Sequence, residues 1–109
     1  MEKQIFGQLG ELKEDKIQEY RKLHEKPWPK VLETIKECNL HNYSIFICGN
    51  KVFAYFEYTG TDYYKDMDKM SEDSVTREWW MRTKPCFIRY AISNDSEFYH
   101  DLEQIFYFQ

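Results

Sequence analysis

The chain predicts an α+β domain with its elements in the order β-α-β-β-α-β. Three observations lead there. Residues 42–48 and 52–58 alternate large side chains on both faces and are joined by Gly49-Asn50-Lys51, a strand–turn–strand pattern. The segments flanking this pair carry apolar residues at helical spacing. Short apolar stretches near each end, residues 4–9 and 104–108, supply the outer strands.

The elements follow in order. Residues 4–9 (Gln-Ile-Phe-Gly-Gln-Leu) read as a strand that Gly10 ends. From Lys13 to Lys26, Ile17, Tyr20, Leu23 and His24 share one helical stripe with charges opposite. Pro27 and Pro29 interrupt this helix, and Pro29 suits the first turn of a second, where its missing N–H costs nothing. The second helix points Val31, Leu32, Ile35 and Cys38 inward. In the hairpin, Tyr43, Ile45 and Ile47 share one side and Ser44, Phe46 and Cys48 the other. Its faces are both bulky, so both are expected to be covered, one by helices and one by a second subunit. After Gly60, Thr61 or Asp62 caps a helix carrying Tyr63, Tyr64, Met67 and Met70. Asp73 or Ser74 caps another carrying Val75, Trp79 and Trp80, which Pro85 ends. Residues 86–101 give no clear pattern. Gln104–Phe108 reads as a final strand. This order is the split βαβ arrangement of a ferredoxin-like fold. One sheet face would be open and aromatic, which favours a homodimer.

With 109 residues the chain forms one domain, 1–109. It is 18% aromatic, with nine Tyr, eight Phe and three Trp, more rings than a core of this size needs. Tyrosine has a polar end, so some are expected to line a cavity. The net charge is −4 with both signs interspersed. No basic block suggests nucleic acid, and no apolar run approaches the roughly 20 residues of a membrane span. Met-Glu-Lys-Gln at the start lacks a signal peptide's apolar stretch. Cys38, Cys48 and Cys86 are odd in number and lack metal-ligand spacing, which reads as three reduced thiols in a cytoplasmic protein. Asp62, Asp66, Asp68, Glu72 and Asp73 read as a solvated helix face without a calcium-loop pattern. His41 and His100 also read as solvated, and Trp28 as an anchor at the helix junction.

Tyr20 and His24 stand four residues apart and so project from one helix face. An imidazole with an unperturbed pKa near 6.5 gives and takes protons around neutrality. Trp79 and Trp80 add flat apolar surfaces. A proton-transfer group beside aromatic platforms is what chemistry on a small polar molecule such as a sugar requires.

The segments Tyr20-x3-His24-x3-Trp28-Pro29, Asn42-Tyr43-x-Ile45, Phe53-Ala54-x-Phe56-Glu57 and Trp79-Trp80, with a closing Glu103-x-Ile105-Phe106, resemble the L-rhamnose mutarotase family. The resemblance implies a dimeric α+β barrel of ferredoxin-like protomers. It also implies an isomerase that interconverts the α and β anomers of a 6-deoxyhexose pyranose without cofactor or metal. By the same resemblance His24 is the catalytic proton donor, and Tyr20, Tyr43, Trp79 and Trp80 bind substrate. The chain departs from the family after the tryptophan pair, where it reads Met-Arg-Thr-Lys-Pro-Cys86, and over a longer stretch from Phe87 to His100. The chemistry therefore carries over better than the sugar, with L-rhamnose first and L-fucose second. Other classes that such a fold accommodates are a non-catalytic sugar-binding module and a monooxygenase-like or haem-handling dimeric barrel.

Overall fold

The computed structural model describes residues 3–88 and 99–109. Strand β1 (Gln4–Leu12) leads through a 3-10 turn to helices α1 (Ile17–Glu25) and α2 (Pro29–Glu37). Strands β2 (Leu40–Cys48) and β3 (Lys51–Tyr58) follow, then α3 (Tyr63–Glu72) and α4 (Ser74–Thr83). The short strands β4 (Phe87–Ile88) and β5 (Tyr99–Asp101) complete the set. The strands form one antiparallel sheet in the order β2-β3-β1-β4, with β5 also paired to β1.

Register decides what faces the helices. Phe6, Gln8 and Gly10 of β1 lie opposite Phe56, Ala54 and Val52 of β3. Ile45 and Ile47 of β2 lie opposite Ala54 and Val52 in turn. Side chains alternate across a strand, so all of these share one face, and the helices pack on it. Two buried clusters result. Leu12, Tyr20, Val52, Cys86 and Phe87 form one, and Cys38, Leu40, Phe56, Tyr58 and Met70 the other. On the opposite face Phe46 is 62% exposed and Phe53 41%.

Several local expectations hold for stated reasons. Gly49 takes φ +60 in the hairpin turn, a conformation that L side chains avoid. Pro29 opens α2. Asp62 caps α3 by accepting from the Lys65 N–H, and Asp73 caps α4 by accepting from the Thr76 N–H.

Others are corrected. Gly10 does not end β1. It sits inside the strand because a Cβ there would lie 2.7 Å from the Phe87 ring and 3.1 Å from Val52, so glycine serves close packing rather than a turn. On α2, Thr34 is buried and Leu32 is half exposed. The Thr34 hydroxyl donates to the Lys30 carbonyl, which satisfies it inside the helix. Tyr64 faces solvent on α3. The segment Gln104–Phe108 pairs with no strand among the described residues, and Ile105, Phe106 and Phe108 stand 79–88% exposed. The last strand is instead Tyr99–Asp101 within the stretch that showed no pattern, and residues 89–98 of that stretch lie outside the described residues.

Two polar groups thought solvated are engaged. Asp66 accepts hydrogen bonds from the Tyr58 hydroxyl and the Asn39 amide, tying α3 to the end of β3. His41 shares a 2.8 Å hydrogen bond with the Thr59 hydroxyl. Cys38, Cys48 and Cys86 are free thiols.

Candidate active site

Pro27 and Pro29 break the chain between α1 and α2, so α1 is short and its last turn carries His24. That turn faces α4, whose Asp73 cap sets where its side chains emerge. The imidazole packs edge-on to the Trp79 indole at 5.4 Å between centroids and tilts against Tyr20 at 4.4 Å. Trp79 in turn meets Trp28 edge-on at 5.3 Å. Arg82 lies 5.5 Å from the Trp28 ring centroid, within cation–π range. Trp28 is thus the junction anchor and also braces the tryptophan next to His24.

His24 Nδ1 lies 2.8 Å from the Tyr20 backbone oxygen. A carbonyl can only accept, so Nδ1 carries a proton and donates. This assigns the other ring nitrogen, Nε2, to external chemistry: a lone pair when the ring is neutral, an N–H when it is charged. His24 lines a cavity of about 250 Å³ with Tyr20, Arg21, Glu25, Ile45, Ile47 and Val52. A larger groove of about 940 Å³ runs past Lys13, Arg77, Trp80, Lys84 and Phe87. Its charged groups are lysine and arginine, and no histidine or carboxylate stands among the described residues that line it.

Tyr20 is buried, and its hydroxyl lies 2.8 Å from the hydroxyl of Tyr99 on β5. Tyr43 stacks on Phe56 at 5.1 Å, Phe56 on Phe6 at 5.0 Å, and Phe6 on Tyr63 at 4.6 Å. This run of four rings crosses from β2 through the sheet to α3. Although Tyr43 is 39% exposed as a residue, its hydroxyl end is desolvated and lies within electrostatic reach of Tyr99 and Tyr63. Burial raises the phenol pKa of Tyr20, Tyr43 and Tyr99 well above the ordinary value. At neutral pH all three are therefore neutral hydrogen-bonding groups, and none is a base.

Of the residues singled out from sequence, Tyr20, His24 and Trp79 come together in direct contact, and Tyr43 reaches the same tyrosine cluster. Trp80 does not join them. It leans on the Met70 cluster and carries Lys84 Nζ 4.7 Å above its ring, beside the larger groove. Tyr99 was missed because the stretch before it has no periodicity. Its inward position opposite Gly10 follows only from β5 pairing. Among the described residues no group of three or more His, Cys, Asp or Glu could hold a metal ion.

Residues 6–108 match the family model described as L-rhamnose mutarotase. The L-rhamnose mutarotase of Oceanobacillus iheyensis is 35% identical over 95 residues, 85% of this chain and 86% of that protein. The L-rhamnose mutarotase of Bacillus subtilis is 31% identical over 96 residues, covering 86% and 88%. The crystal structure of an L-rhamnose mutarotase from Formosa agariphila superimposes with a TM-score of 0.75 at 21% identity, covering 97% of this chain and 99% of that one. A NIPSNAP family protein from Agrobacterium tumefaciens shares the fold more loosely, with a TM-score of 0.59 at 20% identity over 76% and 75% of the two chains. By the extent of the family match and the identity to these relatives, the chain belongs to the L-rhamnose mutarotase family.

Proposed function

We propose that the protein interconverts the α and β anomers of L-rhamnopyranose, with His24 as the proton-transfer residue. The observation that carries this is the tethered imidazole: Nδ1 is held by the Tyr20 carbonyl and the ring is backed by Trp79. The free Nε2 is thereby directed to a substrate.

Mutarotation opens a hemiacetal. The ring oxygen gains a proton as the anomeric hydroxyl loses one, the bond between the ring oxygen and the anomeric carbon breaks, and an aldehyde forms. Rotation about one carbon–carbon bond and reclosure give the other anomer. His24 Nε2–H delivers the proton to the ring oxygen, and the neutral ring takes it back on closure. Glu25 is the carboxylate among the residues lining this cavity. It or a water at the cavity mouth receives the anomeric proton. Positioned acid–base groups typically contribute 10²–10⁴-fold, which suits a reaction that already proceeds slowly in water. Tyr20 and Tyr43 bind sugar hydroxyls as neutral phenols, and the Trp79 indole packs on the apolar C–H and methyl surface of a 6-deoxy sugar. Trp80 contributes from the adjacent groove by holding α4 in place.

The reading extends to assembly. The strand order supports a ferredoxin-like protomer. The outer sheet face and the tail, with Ile105, Phe106 and Phe108 mostly exposed, offer the apolar surface that a homodimeric barrel would bury. Light scattering on the eluted protein should give twice the chain mass of 13.4 kDa; a monomer at micromolar concentration would reject the barrel. Three free thiols suit a reducing, cytoplasmic setting.

Saturation-transfer NMR of the two anomeric protons tests the activity. Protein added to L-rhamnose should speed exchange well beyond the buffer rate, and L-fucose should respond less. A sugar that binds without faster exchange would favour a non-catalytic binding module.

A further inference from the structure

Tyr99 lies outside the set of residues that the family resemblance points to, yet it touches the site directly. It sits on β5 opposite Gly10 of β1. Its ring packs on Phe87 at 5.0 Å, and Phe87 meets Tyr20 edge-on at 5.2 Å. Its hydroxyl lies 2.8 Å from that of Tyr20. Tyr20 is therefore held at both ends. Its carbonyl anchors His24 Nδ1, and its hydroxyl is held by Tyr99.

Both phenols are protonated at neutral pH, because burial raises both pKa values. Within such a pair one O–H donates to the other oxygen, and the second O–H remains available to an external acceptor. A lone phenol hydroxyl rotates between two in-plane positions. A hydrogen-bonded one does not, and binding then costs less ordering.

We propose that Tyr99 is a positioning residue of the sugar site, fixing the Tyr20 hydroxyl in the orientation that meets a sugar hydroxyl and thereby setting affinity and sugar selectivity. The inference rests on the mutarotase reading of Tyr20 and His24. It places no proton of the ring-opening step on Tyr99.

Tyr99→Phe keeps the ring on Phe87 and removes the hydroxyl alone. Its KM for L-rhamnose, from exchange rate against sugar concentration, should rise about 3- to 10-fold, the scale of one buried neutral hydrogen bond. Its kcat should stay within about twofold and its thermal midpoint close to that of the parent. The rise should be smaller for L-fucose, narrowing selectivity. Tyr20→Phe and the double variant should share one KM, since the two hydroxyls act as a unit. An unchanged KM in Tyr99→Phe, effects that multiply in the double variant, or a fall in kcat alone would each overturn the proposal. Titration of L-rhamnose by calorimetry separates this from failure of the underlying reading. A parent protein that binds the sugar but does not speed exchange defeats the mutarotase assignment, while its Kd against that of Tyr99→Phe still decides the role of Tyr99. A parent that does not bind L-rhamnose defeats both.

Discussion

Trp79 and Trp80 are neighbours on α4 and look out on unlike surroundings. Trp79 is 7% exposed and touches His24 and Trp28, while Trp80 is half-buried, with Lys84 above its ring and a groove of lysine and arginine beside it. Successive helix residues point roughly 100° apart, so one step along α4 separates a site with an imidazole from a surface of lysine and arginine. Two adjacent identical side chains on a helix are thus not two copies of one function. What distinguishes them is the side chain each one meets, and here only one meets an imidazole.

The largest expected effect lies on the Trp79 side. His24→Asn should lower the catalysed exchange rate about 10²–10⁴-fold while leaving L-rhamnose binding within a few-fold, read by NMR exchange and calorimetry together. The comparison itself is tested by matched substitutions. Trp79→Phe loses two edge-on ring contacts, to His24 and Trp28, and should cost about 1–3 kcal/mol in urea denaturation together with a several-fold loss of kcat/KM. Trp80→Phe weakens one partly exposed cation–π contact, a cost of about 0.5–1 kcal/mol, and should leave kcat/KM within about twofold. Equal losses of activity in the two variants would erase the distinction.

Gly10→Ala probes the same side from beneath. The added methyl would press on the Phe87 ring and Val52. Overpacking of this kind typically costs 1–3 kcal/mol, measurable as a lower urea midpoint. Phe87 carries both Tyr20 and Tyr99, so activity should fall along with stability.

The helices and the hairpin were legible because their signals are local. Prolines at 27 and 29, aspartates at 62 and 73 and the Gly49 turn act within a few residues of themselves. Tyr20 and His24 were legible as a pair for the same reason, since helical spacing alone puts them on one face. What was not legible depends on partners far away in sequence. Gly10 looks like a strand end until Phe87 occupies the space of its missing side chain. Thr34, a nearer case, is a weaker core candidate than Leu32 until its hydroxyl finds the Lys30 carbonyl. Asp66 looks solvated until Tyr58 and Asn39 arrive. Tyr99 has no periodic neighbour to announce it. The apolar tail reads as a strand from composition, but a strand needs an edge to pair with, and within one chain β5 and β4 occupy that side of β1.

The smallest effects are those of pH, and they fall into two sets. Glu57 is held below the usual carboxylate range by hydrogen bonds from Tyr55 and Asn42, Asp66 by those from Tyr58 and Asn39, and Asp73 by the Thr76 N–H and hydroxyl. Their stabilisation is present above the unfolded carboxylate pKa near 4 and is lost as pH falls through the lower folded values. The raised phenols of Tyr20, Tyr43 and Tyr99 work in the opposite sense. Their contribution is full below about pH 10 and is lost as pH climbs towards the folded values, because the unfolded chain gives up those protons first. Urea midpoints against pH should therefore hold flat through neutrality and fall at both ends. Tyr99→Phe should soften only the alkaline fall.

The most direct test of the central claim is the L-rhamnose anomer-exchange rate measured side by side for the parent protein and His24→Asn. The account predicts rapid exchange with the parent and a rate close to buffer alone with the variant, at matched sugar occupancy. Undiminished exchange in a folded, sugar-binding His24→Asn protein would contradict it.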